Sequence, residues 1–193
     1  PRTCTKYLYL SQALGGLGVP SAEDESHVSR AAQAFKYLAD TRDRRIRGVA
    51  LDQLSETVAK RARQLDHTTH EGLHLFLNSS PGPGEGRAGD LQTLWSAVRN
   101  SLVLTNATIC LSQDSATISI GRHKLSWDKR KLLSQTLKTG LQDRHLAAIK
   151  ASPDQGRAFD SVSLHPVSTF FTYTGAFLSF PQYRFIHKVR LNL

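Results

Sequence analysis

Apolar side chains recur at spacings of three and four through Val28, Ala31, Ala32, Phe35 and Leu38, which predicts a helix over residues 22–38 with one buried face. Glu23, Asp24 and Glu25 place negative charge at the positive end of its dipole. The same periodicity carries Ile46, Val49, Ala50, Leu54, Val58 and Leu65 along one stripe of a second helix, residues 42–65. A helical pattern resumes at 91–104 around Leu94, Trp95 and Val98. The period then changes to two, and residues 107–111 and 116–120, joined through Gln113-Asp114-Ser115, read as a short hairpin. Two further helices are expected over 124–138 and 141–151, split at Gly140, followed by a loop over 153–157. The tail gives helices over 166–173 and 181–193, each with a proline near its first turn, where a missing N–H costs nothing.

Ser79-Ser80-Pro81-Gly82-Pro83-Gly84-Glu85-Gly86 interrupts this pattern, since proline and glycine together disfavour both helix and central strand. The expected organisation is therefore mainly α. A helical region spans residues 1–77, a linker 78–90, and a second, basic helical unit with a small β-hairpin 91–193. There is no internal repeat.

Near the start, Gly15-Gly16-Leu17-Gly18-Val19-Pro20-Ser21 concentrates residues that permit left-handed backbone and block helix. Its spacing is not that of a dinucleotide-binding G-x-G-x-x-G loop, so a structural turn is expected, with Ser21 capping the helix that follows and Asp24 three residues on.

Charge narrows the class of partner. The 193 residues carry 25 Lys and Arg against 16 Asp and Glu, a formal +9, which favours a polyanion. The excess is uneven. Residues 1–64 hold 11 basic and 7 acidic groups, residues 65–120 hold 2 and 5, and residues 121–193 hold 12 and 4. Cys4 and Cys110 are the only cysteines and stand far apart, which excludes a disulfide scaffold and a zinc cluster built on cysteines, and fits a reducing compartment. No apolar run is long enough to cross a bilayer, and with no methionine in the chain both ends are expected to continue into a longer protein.

Several local patterns carry candidate chemistry. His70-Glu71-Gly72-Leu73-His74 matches H-E-x-x-H, which on a helix presents two histidines to zinc and a glutamate to water. Gly72 inside the motif and Pro81 after it are expected to interrupt that helix, leaving a surface helix end or loop without zinc; a zinc metallopeptidase is the competing reading. The run from Arg122 to Lys131 interleaves Trp127 with Arg122, His123, Lys124, Lys129, Arg130 and Lys131, a composition that neutralises phosphates while the indole stacks on a base or packs in the core. On the second helix, Arg44, Arg45 and Arg47 lie largely off the apolar stripe and, with Arg42, are candidate phosphate contacts. Tyr173, Phe177, Phe180, Tyr183 and Phe185 are expected in the core, base stacking being the other use of such rings. Asp160, Ser161, Ser163 and His165 cluster without a G-x-S-x-G frame, and no Asp-Asp pair suits two-metal polymerase chemistry, so no catalytic residue is assigned.

Two stretches are also similar to a known family. Gly15 to Ser21, the helix after it, and Asp40-Thr-Arg-Asp-Arg-Arg-Ile-Arg-Gly-Val-Ala-Leu-Asp-Gln-Leu54 resemble the region just after the polymerase core in site-specific non-LTR retrotransposons of the restriction-like-endonuclease type. Gln155-Gly156, Ser161, Tyr183-Arg184-Phe185 and Arg190-Leu191-Asn192-Leu193 resemble the segment ahead of the Cys/His knuckle and endonuclease. The likeness is strongest over 14–66 and 153–193 and is absent from 78–125. It implies a thumb-like helical unit over 1–77 and a connector leading to a downstream endonuclease, within a nuclear protein that nicks target DNA and copies element RNA there. It also implies Mg2+ for the parent polymerase and nuclease but no cofactor in this stretch, with element RNA, target DNA and the flanking domains as partners; from the apolar runs alone, no membrane is expected. The third reading is a stand-alone basic nucleic-acid-binding module.

Overall fold

The computed structural model describes residues 5–79, 93–153, 156–157, 159–160 and 178–190. They form a mainly α-helical fold with one small antiparallel sheet. Packing divides the chain into two compact units, Ala22–Leu141 and Pro1–Ser21 with Gln142–Leu193.

In the first unit, helices α2 (Ala22–Ala39), α3 (Arg44–Arg61), α4 (His70–Asn78) and α5 (Leu94–Leu104) form one core with strands β1 (Ala107–Leu111), β2 (Ala116–Ile120) and β3 (His123–Leu125). The ends of the helices are chemically marked. Asp43 accepts hydrogen bonds from the Arg45 and Ile46 amides, Thr69 from Gly72 and Thr93 from Ser96, each satisfying donors that the first helical turn leaves open. The sheet order is β1-β2-β3, with Ile109 opposite Ile118 and Ile118 opposite Leu125, so one face of all three strands turns to the core. That core joins Phe35 and Leu38 of α2, Leu54 and Val58 of α3, Phe76 and Leu77 of α4, and Val98 and Leu102 of α5 to the sheet.

The expected hairpin has the observed bounds, and a third strand, which periodicity does not predict, extends it. Residues 123–125 pair with β2 across Gly121, whose φ of 55° gives a tight turn. A 3₁₀ turn, Trp127–Lys129, then leads to one continuous helix, α6 (Leu133–Lys150), where two helices split at Gly140 were expected. Gly140 is not a breaker here: a Cβ at that position would stand 2.8 Å from the Thr105 carbonyl oxygen, so the glycine permits a close approach. The expected linker does not separate two domains either. Helices α4 and α5, which flank it in sequence, pack against each other and contribute to one core. Residues 80–92 themselves lie outside the described residues.

In the second unit, α1 (Lys6–Tyr9) and a 3₁₀ turn (Gln12–Leu14) lead into the glycine-rich segment. Its structural reading holds at the level of each amide. Gly16 N–H donates to Ser11 O, Leu17 to Tyr7 O, Gly18 to Leu10 O and Val19 to Leu8 O, which leaves no row of amides to cradle a phosphate. Gly15 and Gly18 take φ of 89° and 68°. Tyr7 and Leu10 are buried with Ile149 and Phe159, and Gln142 bridges Ser11 N and Tyr9 O at 2.6 and 3.1 Å. The expected loop over 153–157 is helical where described, at Pro153, Gly156 and Arg157. The last helix, α7 (Phe180–Arg190), starts at Ser179, whose N–H and hydroxyl both bond the Gln182 side chain at 2.9 Å, a capping box in reverse reach. Phe180 and Phe185, expected in the core, are exposed at 77% and 67%. The helix expected over 166–173, with Tyr173 and Phe177, lies outside the described residues.

Candidate nucleic-acid interface

Three of the four arginines at the head of α3 face solvent. Arg42, Arg44 and Arg45 are exposed and make no ion pair among the described residues. Arg44 and Arg45 occupy the first turn, where the helix dipole is positive and a cation is disfavoured by roughly 0.3–1 kcal/mol. Neither gains an ion pair among the described residues from being there. An approaching anion reverses that sign, since the turn and both guanidiniums then attract it together.

Arg47 departs from the expected set. Its Nε donates to Leu38 O at 3.0 Å, Nη1 to Gln113 O at 2.6 Å, and Nη2 to Ser112 O at 2.6 Å and Ser115 O at 3.4 Å. The guanidinium thus ties the end of α2 to the β1–β2 turn, bonding the Leu38, Ser112 and Gln113 carbonyls and adding a longer contact to Ser115 O, which already accepts from the Ser112 N–H and hydroxyl. A side chain so engaged is structural and stands apart from the exposed arginines Arg42, Arg44 and Arg45.

The second basic stretch is also divided. Arg122, Lys124, Lys129 and Lys131 are exposed and likewise without an ion pair among the described residues. Arg130 lies over the Trp127 ring at 4.5 Å and donates to Trp127 O at 3.1 Å. Trp127 packs against the core, which decides for packing over an exposed stacking platform. Asp128, the acid within this stretch, is held below its ordinary value of 3.8 first by the Ser126 hydroxyl, with Lys129 contributing less.

The H-E-x-x-H segment does form a helix, contrary to the expected interruption. Gly72 is required rather than disruptive, because a Cβ there would lie 1.8 Å from Asp66 O. The motif's second histidine serves the fold. His74 Nδ1 is 2.8 Å from Ile109 O and 2.9 Å from Asn78 Nδ2. Beside it, Asn78 Nδ2 donates to Ile109 O at 2.8 Å while Asn78 Oδ1 accepts from Ile109 N at 2.9 Å. Among the described residues no group of three or more His, Cys, Asp or Glu side chains is placed to hold a metal ion. No helix among them is long and apolar enough to cross a membrane.

Sequence reasoning missed a groove beside the arginines. Tyr37 of α2, Arg45, Ile46, Val49 and Gln53 of α3, and Trp95 of α5 line an open depression of about 350 Å³. Periodicity assigns Ile46 and Val49 to the buried stripe of α3, yet they are 43% and 56% exposed. Positions four apart drift by about 40° on a straight helix, so a stripe counted from 46 to 58 has turned about 120° by its end. Its buried part is Ala50, Leu54 and Val58, Leu65 lies past the end of α3 and packs against the core, and Ile46 and Val49 face the groove.

Comparison of the chain with protein-family models, with curated proteins and with solved structures returns no match.

Proposed function

We propose that this chain binds nucleic acid through the phosphate backbone, with Arg42, Arg44 and Arg45 as one contact group and Arg122, Lys124, Lys129 and Lys131 as another. The observation that carries this reading is the pair Arg44 and Arg45: exposed, without an ion pair among the described residues, and set where the helix itself repels them. A sequence that breaks a local rule without local compensation is expected at a functional site. The wider setting we propose is the resembled family, in which this stretch lies between the reverse transcriptase core and the endonuclease of a site-specific non-LTR retrotransposon. There it would hold element RNA and target DNA in the nucleus while Mg2+-dependent chemistry occurs in the flanking domains.

The test is a salt titration of the chain with a short duplex. Each phosphate contact contributes about −0.9 to the slope of log affinity against log salt. We expect a steep negative slope, and a double variant, Arg44→Ala with Arg45→Ala, should lessen it by about 2 while leaving the melting curve unmoved. Affinity independent of salt would reject backbone recognition. A reading frame extended on both sides tests the family setting: a Phe/Tyr-x-Asp-Asp motif upstream and a Cys-Cys-His-Cys cluster downstream are expected, and their absence from the full frame would leave only the stand-alone module.

A further inference from the structure

The groove beside the arginines has walls of a kind that phosphate contacts alone do not need. Ile46, Val49 and Gln53 follow one another at three and four residues along α3, Tyr37 faces them from α2, and Trp95 and Leu94 close it from the start of α5. Tyr37, Ile46, Val49 and Leu94 are each more than 40% exposed, so four large apolar side chains surround one depression and stay open to solvent. Its only charged lining residue is Arg45, and Arg44 precedes it in the same exposed turn. The nearby acid Asp43 is committed to capping α3 through the Arg45 and Ile46 amides. Asp52, next to Gln53, is exposed and does not line the groove.

We infer that this groove receives an unpaired nucleobase of a single strand whose backbone is held by Arg44 and Arg45. The inference rests on the backbone-binding reading above and adds to it a site for the base. The chemistry matches on each side. A base presents two apolar faces that stack on aromatic and aliphatic surface, and it has a polar edge within reach of an amide such as Gln53. The strand carries one negative charge per nucleotide, and the positive groups stand at the groove's wall and beside it. An apolar peptide would use the same walls but gives no account of the cationic rim. A duplex would meet the arginines while keeping its bases stacked inside.

The experiment compares a short single-stranded oligonucleotide with the same strand carrying abasic sites, both labelled and titrated with the full chain. Base stacking is typically worth about tenfold in affinity per base, so the intact strand should bind about tenfold more tightly than the abasic one. Tyr37→Ala should reduce that ratio several-fold while leaving the abasic affinity unchanged, since no charge is altered. In a Trp127→Phe background, Trp95 is the remaining tryptophan, and its fluorescence should be quenched by the intact strand and not by the abasic one. Equal, salt-dependent affinity for both strands would overturn the base site and leave backbone binding standing. Loss of all binding to either strand would reject both. If the chain self-associates and Val49→Asp abolishes it without changing the ratio of affinities, the groove is an interface between copies and the inference fails.

Discussion

Residues 42–47 and residues 122–131 look alike as sequence, two short stretches dense in arginine and lysine, but the fold uses them differently. At the head of α3 a single helical turn separates roles: Arg44 and Arg45 point to solvent, while Arg47 spans carbonyls of α2 and the β1–β2 turn. In the later stretch a three-residue strand and a 3₁₀ turn scatter the charges, and one of them, Arg130, is laid over Trp127. A guanidinium becomes structural where it finds orphaned carbonyls or an aromatic face. Composition registers the charge but not the surroundings that decide its use.

The largest expected effect tests whether α3 has two independent faces. Leu54 is fully buried, and Leu54→Ala should cost about 2–5 kcal/mol in thermal or denaturant unfolding. Nucleic-acid affinity measured well below the transition should not change; a parallel fall would mean the buried and cationic faces are coupled. Arg47→Ala comes next. Removing a charged donor shared among several carbonyls should cost about 1.5–3 kcal/mol, read as a lower melting temperature with the salt slope retained. An unchanged melting curve with a shallower slope would return Arg47 to the phosphate contacts and erase the distinction within the first stretch.

Smaller effects address the second stretch. Arg130→Ala should lose about 0.5–1 kcal/mol from its contact with the Trp127 ring, whereas Lys129→Ala and Lys131→Ala should leave stability within error. Equal costs for all three would make the stretch uniform. The smallest expected effect is an acid-side one. Asp128 titrates below 3.8 because the Ser126 hydroxyl bonds its charged form, so its contribution to stability is complete above the unfolded value and disappears as pH falls through the lower folded value. Ser126→Ala should move the carboxyl resonance midpoint by NMR upward toward 3.8.

Most of the helices, and both strands of the hairpin, are legible in the sequence because their periodicity is local. What is not legible depends on contacts between distant residues. Gly72 and Gly140 read as breakers on propensity alone, but each sits where another segment's carbonyl comes too close for a side chain, Asp66 O and Thr105 O respectively. Strand β3 is too short to display alternation, and its pairing is set by the turn at Gly121. At the candidate interface, the exposed arginines can be picked from their position off the apolar stripe, whereas Arg47's partners are 65 and 66 residues away. The groove is hidden for the same reason: its walls come from three helices, and only a slow rotation of the apolar stripe along α3 hints at it.

The bond pair between the Asn78 side chain and Ile109 has a consequence for the sheet as an object. Strand β1 is at the border of a three-stranded sheet, and a bare border offers N–H and C=O groups on which another chain can lay down a strand. Asn78 meets the Ile109 backbone as a neighbouring strand would, donating to its carbonyl and accepting from its amide, with His74 alongside. One primary amide thus imitates a single rung of a fourth strand, and on the β1 side helix α4 acts as a stopper against a further strand being laid down there.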